Sequence, residues 1–86
     1  MNIGFLTDCL IQILSRGPKT LNEISEQTNF GRHFVSYGLD GLIEEGVIEF
    51  GEVKVLREPT PTMKGVRSQT YEFTKLWRDV YYNNDV

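Results

Sequence analysis

The stretch GRHFVSYGLDGLIEEGVIEF, residues 31–50, decides the fold because its hydrophobic period changes partway through. From Arg32 to Glu45 the apolar residues Val35, Leu39 and Leu42 recur at the spacing of one helix face. Gly46 then ends the helix, since glycine enters the left-handed backbone region without a steric penalty. Beyond it Val47, Ile48, Phe50, Val53 and Val55 are β-formers in a largely alternating pattern, with Gly51 where a bulge would sit. With Val35, Leu39 and Leu42 turned inward, Arg32, His33, Ser36 and Tyr37 fall on the outer side of the helix's first turns.

Upstream, Thr20-Leu21-Asn22-Glu23 is a capping box. The Thr20 hydroxyl can accept from the Glu23 amide while the Glu23 carboxylate reaches back to the Thr20 amide. A short helix over about 21–28 follows, with Leu21 and Ile24 inward, and Asn29-Phe30-Gly31 makes a tight connection. Residues 3–16 form the first helix, with Ile3, Leu6, Leu10, Ile13 and Leu14 on one stripe and Gly17-Pro18 as its stop. Phe5 and Ile11 lie off that stripe on different sides. Two readings fit this: a helix enclosed by its own domain, or one that also packs on a second protomer. Cys9, the single cysteine, excludes an intrachain disulfide and a multi-cysteine zinc site, and reads as a small apolar residue.

Downstream, residues 58–65 hold Pro59 and Pro61 and no apolar period, which marks a loop. Residues 69–73 read as the return strand of a hairpin with a long tip. Thr74 can cap a last helix over 75–82, which carries Leu76, Trp77, Val80 and Tyr81. So short a helix is not stable alone in water and must dock on something.

The chain has 86 residues, 40% hydrophobic and 24% charged, a globular composition that fits one small domain. No apolar run approaches the roughly 18 residues of a membrane helix, and the N-terminus lacks the basic start of a signal peptide, so a cytoplasmic protein is expected. The net charge is −3, unevenly spread. Residues 53–71 carry Lys54, Arg57, Lys64 and Arg67 against Glu58 alone, whereas residues 1–50 are acidic. Enzyme chemistry finds little purchase. His33 is the one histidine and has no spaced catalytic partner, and no glycine-rich phosphate loop is present. No metal or cofactor is expected.

From Gly31 onward the sequence resembles winged helix-turn-helix transcription regulators of the MarR, ArsR and PadR kind. Val35-Ser36, Leu39, Leu42, Gly46 and Val47-Ile48 match the recognition helix and first wing strand of those families. Tyr71-Glu72-Phe73-Thr74 resembles the segment that closes their wing, and Glu23-Ile24 matches the start of their second helix. The likeness covers about residues 7–75. It implies an α+β fold in one domain over 1–86, with helix 3–16, helix-turn-helix 20–45, wing 47–74 and C-terminal helix 75–82. It also implies sequence-specific binding of duplex DNA by a small transcription regulator; any small-molecule effector is unknown. Arg32, His33, Ser36 and Tyr37 would face the major groove, and Lys54, Arg57, Lys64 and Arg67 would follow the backbone. A homodimer is expected through Phe5, Cys9, Ile11, Trp77 and Tyr81, since one such motif reads few bases. The other reading is a winged helix used as a protein adaptor. Acidic Asp40, and Gly38 and Gly41 inside the third helix, favour that alternative. The glycines read as drift in a marginal helix rather than as close approach by another backbone.

Overall fold

A computed structural model describes residues 3–82, with side chains from 4 to 80. The chain is α+β. It runs α1 (Ile3–Leu14), β1 (Lys19–Thr20), α2 (Leu21–Thr28), α3 (Arg32–Glu44), β2 (Ile48–Arg57), β3 (Val66–Phe73) and α4 (Lys75–Tyr82). The strands form one antiparallel sheet in the order β1-β3-β2.

Local chemistry sets most boundaries. The capping box at α2 is complete: the Glu23 amide donates to the Thr20 hydroxyl at 3.2 Å, and the Thr20 amide donates to the Glu23 carboxylate at 3.0 Å. At the end of α3, Gly46 has φ +75°. Its amide donates to Ile43 and the Val47 amide to Leu42, the paired bonds that close a helix through a left-handed glycine. Helix α1 stops at Leu14, two residues short of expectation. Its last amides turn tightly, Arg16 onto Ile13 and Gly17 onto Leu14, before Gly17 leaves at φ +126°.

The core is built where helices cover the base of the sheet. Leu6, Leu10 and Leu14 of α1, Ile24 of α2, Val35, Leu39 and Leu42 of α3, and Val47, Ile48 and Phe73 are buried together. Each such side chain contributes about 1.5–3 kcal/mol of transfer free energy. Gly38 is what lets α3 approach α1: a β-carbon there would stand 2.7 Å from Leu6 Cδ2 and 2.8 Å from Leu10 Cδ1. The close neighbours at Gly38 are side chains of α1 rather than another backbone, a packing contact that drift does not account for; at Gly41 a β-carbon would meet open space.

Two strand features differ from the sequence reading. β1, too short to show a period, pairs Lys19 with Tyr71 and Thr20 with Thr70. β3 begins at Val66 rather than at 69, so the hairpin is longer than expected. The register slips between Phe50 and Val53, at the bulge expected of Gly51. There the Thr70 hydroxyl donates to the Glu52 carbonyl and the Gln69 side-chain Nε2 to the Gly51 carbonyl, each at 2.6 Å. Beyond the bulge, residues 52–64 are exposed on both faces of the ribbon. The Thr74 hydroxyl, expected to cap α4, donates to the Gly46 carbonyl at 2.9 Å and ties the sheet to the end of α3.

Candidate nucleic-acid interface

Helix α3 is aimed by the turn before it. Asn29 takes the left-handed conformation, φ 61°, and its amide donates to the Ser25 carbonyl. The Ser25 hydroxyl donates to the Phe30 carbonyl at 2.6 Å, and the Phe30 amide donates to the Thr28 hydroxyl at 3.2 Å. The Phe30 ring packs edge-on between Phe5, centroids 6.0 Å apart, and Phe34, 5.3 Å apart. These bonds and ring contacts fix the shape of the turn and so set the direction in which α3 leaves it.

Along α3 the exposed surface is divided. Arg32, His33 and Tyr37 are exposed and Ser36 is half-buried, so the first turns offer cationic and hydrogen-bonding groups outward. Gly31 at the N-cap supplies no side-chain bond, which leaves the opening amides to water or to an acceptor. Further along, Asp40, Glu44 and Glu45 are exposed, beside a groove of about 390 Å³ that also touches Tyr37 and Gly41. The Asp40 charge reaches the sheet. The Tyr71 hydroxyl is held above its usual pKa, first by burial and then by that carboxylate.

The four hairpin cations do not act alike. Lys54 Nζ lies 3.5 Å from Glu23 Oε2, so it is bound at the base of the hairpin, against the start of α2. That carboxyl is held below its ordinary range, first by the Thr20 amide; burial opposes this, and the Thr20 hydroxyl and then Lys54 add weaker lowering effects. Arg57, Lys64 and Arg67 lie on the distal hairpin and are exposed. Arg57 also straps the loop, its Nη2 donating to the Lys64 carbonyl at 2.9 Å. Gly65 is required beneath that strap, since a β-carbon would stand 2.9 Å from the Arg57 carbonyl oxygen. The same ribbon exposes Val53, Val55, Leu56 and Met63, each about half accessible. Nothing in their alternation indicated that both faces would be uncovered.

The residues expected at a subunit interface separate into groups. Ile11 and Trp77 are partly buried and pack against the chain's own core. Phe5 and Cys9 line a groove between α1 and α2. The side chain of Tyr81 lies outside the described residues. What α4 turns outward is Leu76 and Val80, one helical turn apart and 74% and 46% exposed. Among the described residues no group of three or more His, Cys, Asp or Glu is placed to hold a metal ion, and no helix is long and apolar enough to cross a membrane. Compared with known proteins, the chain matches no family model, no curated protein and no solved structure.

Proposed function

We propose that this chain is a winged-helix protein that binds duplex DNA and acts as a small transcription regulator. The observation that carries the reading is the pairing of two surfaces. A rigidly aimed helix offers Arg32, His33, Ser36 and Tyr37 outward. A ribbon exposed on both faces carries Arg57, Lys64 and Arg67. One α-helix fits the major groove, and cations on a projecting ribbon can follow the phosphates. The strap from Arg57 to the Lys64 carbonyl supports the same reading, because it holds the cationic tip in one shape at little conformational freedom.

The direct test is titration of random and selected duplexes at several salt concentrations. Low-micromolar or tighter binding that weakens steeply with salt is expected. Neutralising Arg57, Lys64 and Arg67 together should lower the salt slope by about three, roughly one per phosphate contact. Arg32→Ala should relax sequence preference at about 1–3 kcal/mol on the preferred site, while Lys64→Ala should weaken all duplexes alike. Equal, uniform losses for both would place Arg32 on phosphate and not on a base.

The second reading is an adaptor module. The acidic second half of α3, with its neighbouring groove, favours it, since Asp40, Glu44 and Glu45 repel phosphate and suit a basic partner. Failure to bind any duplex at low salt would decide for it.

The regulator is proposed as a homodimer, which doubles the base pairs read, over half-sites about 34–36 Å apart. With Ile11 and Trp77 packed inward, the dimer face is assigned to Leu76 and Val80 of α4. Sedimentation in reducing buffer tests this. A monomer at tens of micromolar would refute it.

A further inference from the structure

The groove between α1 and α2 has no place in the reading above. It is an open groove of about 630 Å³, within the size range of small-molecule sites. Phe5, Cys9 and Ile13 fall on one side of α1 at intervals of four, and Arg16 lies in the turn that follows, so the groove follows the helix axis for about 12 Å before it reaches the turn. Its apolar end is Phe5 against Phe30, with Cys9 and Ile13 next along. Its other end is Arg16 and Lys19. Neither cation is ion-paired among the described residues, and no carboxylate lines the groove, in a chain whose net charge is −3.

That gradient specifies a ligand. Arg16 and Lys19 are the only charged residues among those lining the groove, which suits one anionic head rather than a polyanion, whose charges need partners along its length. The rest of the lining is uncharged: Cys9, Ile13, Phe30 and the Phe5 ring, left 58% exposed, with the amides of Gln12 and Gln27 and the Thr28 hydroxyl beside them. We infer that this groove binds an elongated amphipathic carboxylate of the medium-chain fatty-acid class. Its chain lies over Phe5, Cys9, Ile13 and Phe30, and its carboxylate sits between Arg16 and Lys19. Gln27 and Thr28 of α2 form the facing wall.

The test uses the full chain, labelled with nitrogen-15 and free of DNA, so that it stands or falls apart from duplex binding. It is titrated with decanoate below its micelle concentration, and separately with decanol. Decanoate should give saturable shifts confined to the amides of α1, the following turn and α2. It should bind roughly tenfold or more tightly than decanol, the usual margin of a charge-assisted contact. The double variant R16Q/K19Q removes both charges and touches no buried core residue. It should bring decanoate down to the decanol affinity and leave decanol unchanged. Equal affinity for both amphiphiles in the wild type would overturn the proposal, as would shifts centred on the hairpin or α4, or no saturable shift with either. Shifts of the same amides with protein concentration alone, together with loss of decanoate binding, would assign the groove to a second copy and overturn it as well.

Discussion

Leu39 and Val55 are both apolar residues in regular structure, yet Leu39 is fully buried in α3 while Val55 in β2 is 46% exposed. The helical end of the molecule places a layer of helices over the sheet. Past the Gly51 bulge no helix among the described residues covers the ribbon, and β1, two residues long, pairs with Thr70 and Tyr71. Two-stranded ribbons are marginal on their own, so the distal hairpin contributes little to stability and depends on the body for its shape. Freed from packing, it can carry unpaired cations, which a core cannot. Stability and charge are thus placed in different parts of one small chain.

The largest expected effect sets these regions directly against each other. Leu39→Ala should cost about 2–5 kcal/mol in chemical denaturation, as for a buried leucine leaving a cavity. Val55→Ala should stay within about 0.5 kcal/mol. A loss at Val55 comparable with that at Leu39 would break the comparison, and would mean that the ribbon packs on a second molecule.

Within α3 the same contrast appears between two glycines on one helix. Gly38→Ala gains about 1 kcal/mol of helix propensity but forces a methyl against Leu6 and Leu10, at about 1–3 kcal/mol for overpacking. A net loss on the order of 1 kcal/mol is expected. Gly41→Ala meets open space and should stabilise by about 0.5–1 kcal/mol. Thermal melts of the two variants should move in opposite directions; movement in the same direction would show that α3 does not lie against α1 at Gly38.

The smallest effect sharpens the boundary where hairpin and body meet. The Glu23 carboxyl is lowered from its ordinary value of 4.5 by the Thr20 amide and, more weakly, by Lys54. The folded state therefore favours the ionised form. That stability is present above 4.5 and is lost as pH falls through the lower folded value. Glu23→Gln should accordingly destabilise at neutral pH and show less further loss on acidification than the wild type. Because the side chain keeps about a third of its surface exposed and solvent screens the charge, the difference should be a small shift in the denaturation midpoint. An unchanged acid profile would show that the capping box and the Lys54 contact do not hold in solution.

Much of this was legible along the chain. Thr20 and Glu23 announce the start of α2 because their bonds close within four residues. The stripe of Val35, Leu39 and Leu42 and the stop at Gly46 mark α3 for the same reason. The bulge at Gly51 and the loop over 58–65 were visible too. The candidate interface was legible as a set of residue types, since outward positions of α3 follow from its inward stripe and the cations of 53–71 are a matter of counting. Their division was not. Lys54 meets Glu23 across a turn, two helices and part of a strand, and no short pattern encodes a contact at that range.

The sequence by itself determined the start of α2, the stop of α3 and the loop of the hairpin, because capping, left-handed glycine and hydrophobic period act through bonds between near neighbours. Only the tertiary structure decided the rest. β1 exists because Thr70 and Tyr71 offer it an edge to pair with. Gly38 matters because the Leu6 and Leu10 side chains arrive there from another helix. Ile11 and Trp77 turn to the core while Leu76 and Val80 stay outside, because only the docking of α1 and α4 chooses which of several apolar faces is covered. Each outcome rests on groups far apart in the chain, whose meeting depends on the whole packing and leaves no local period to read.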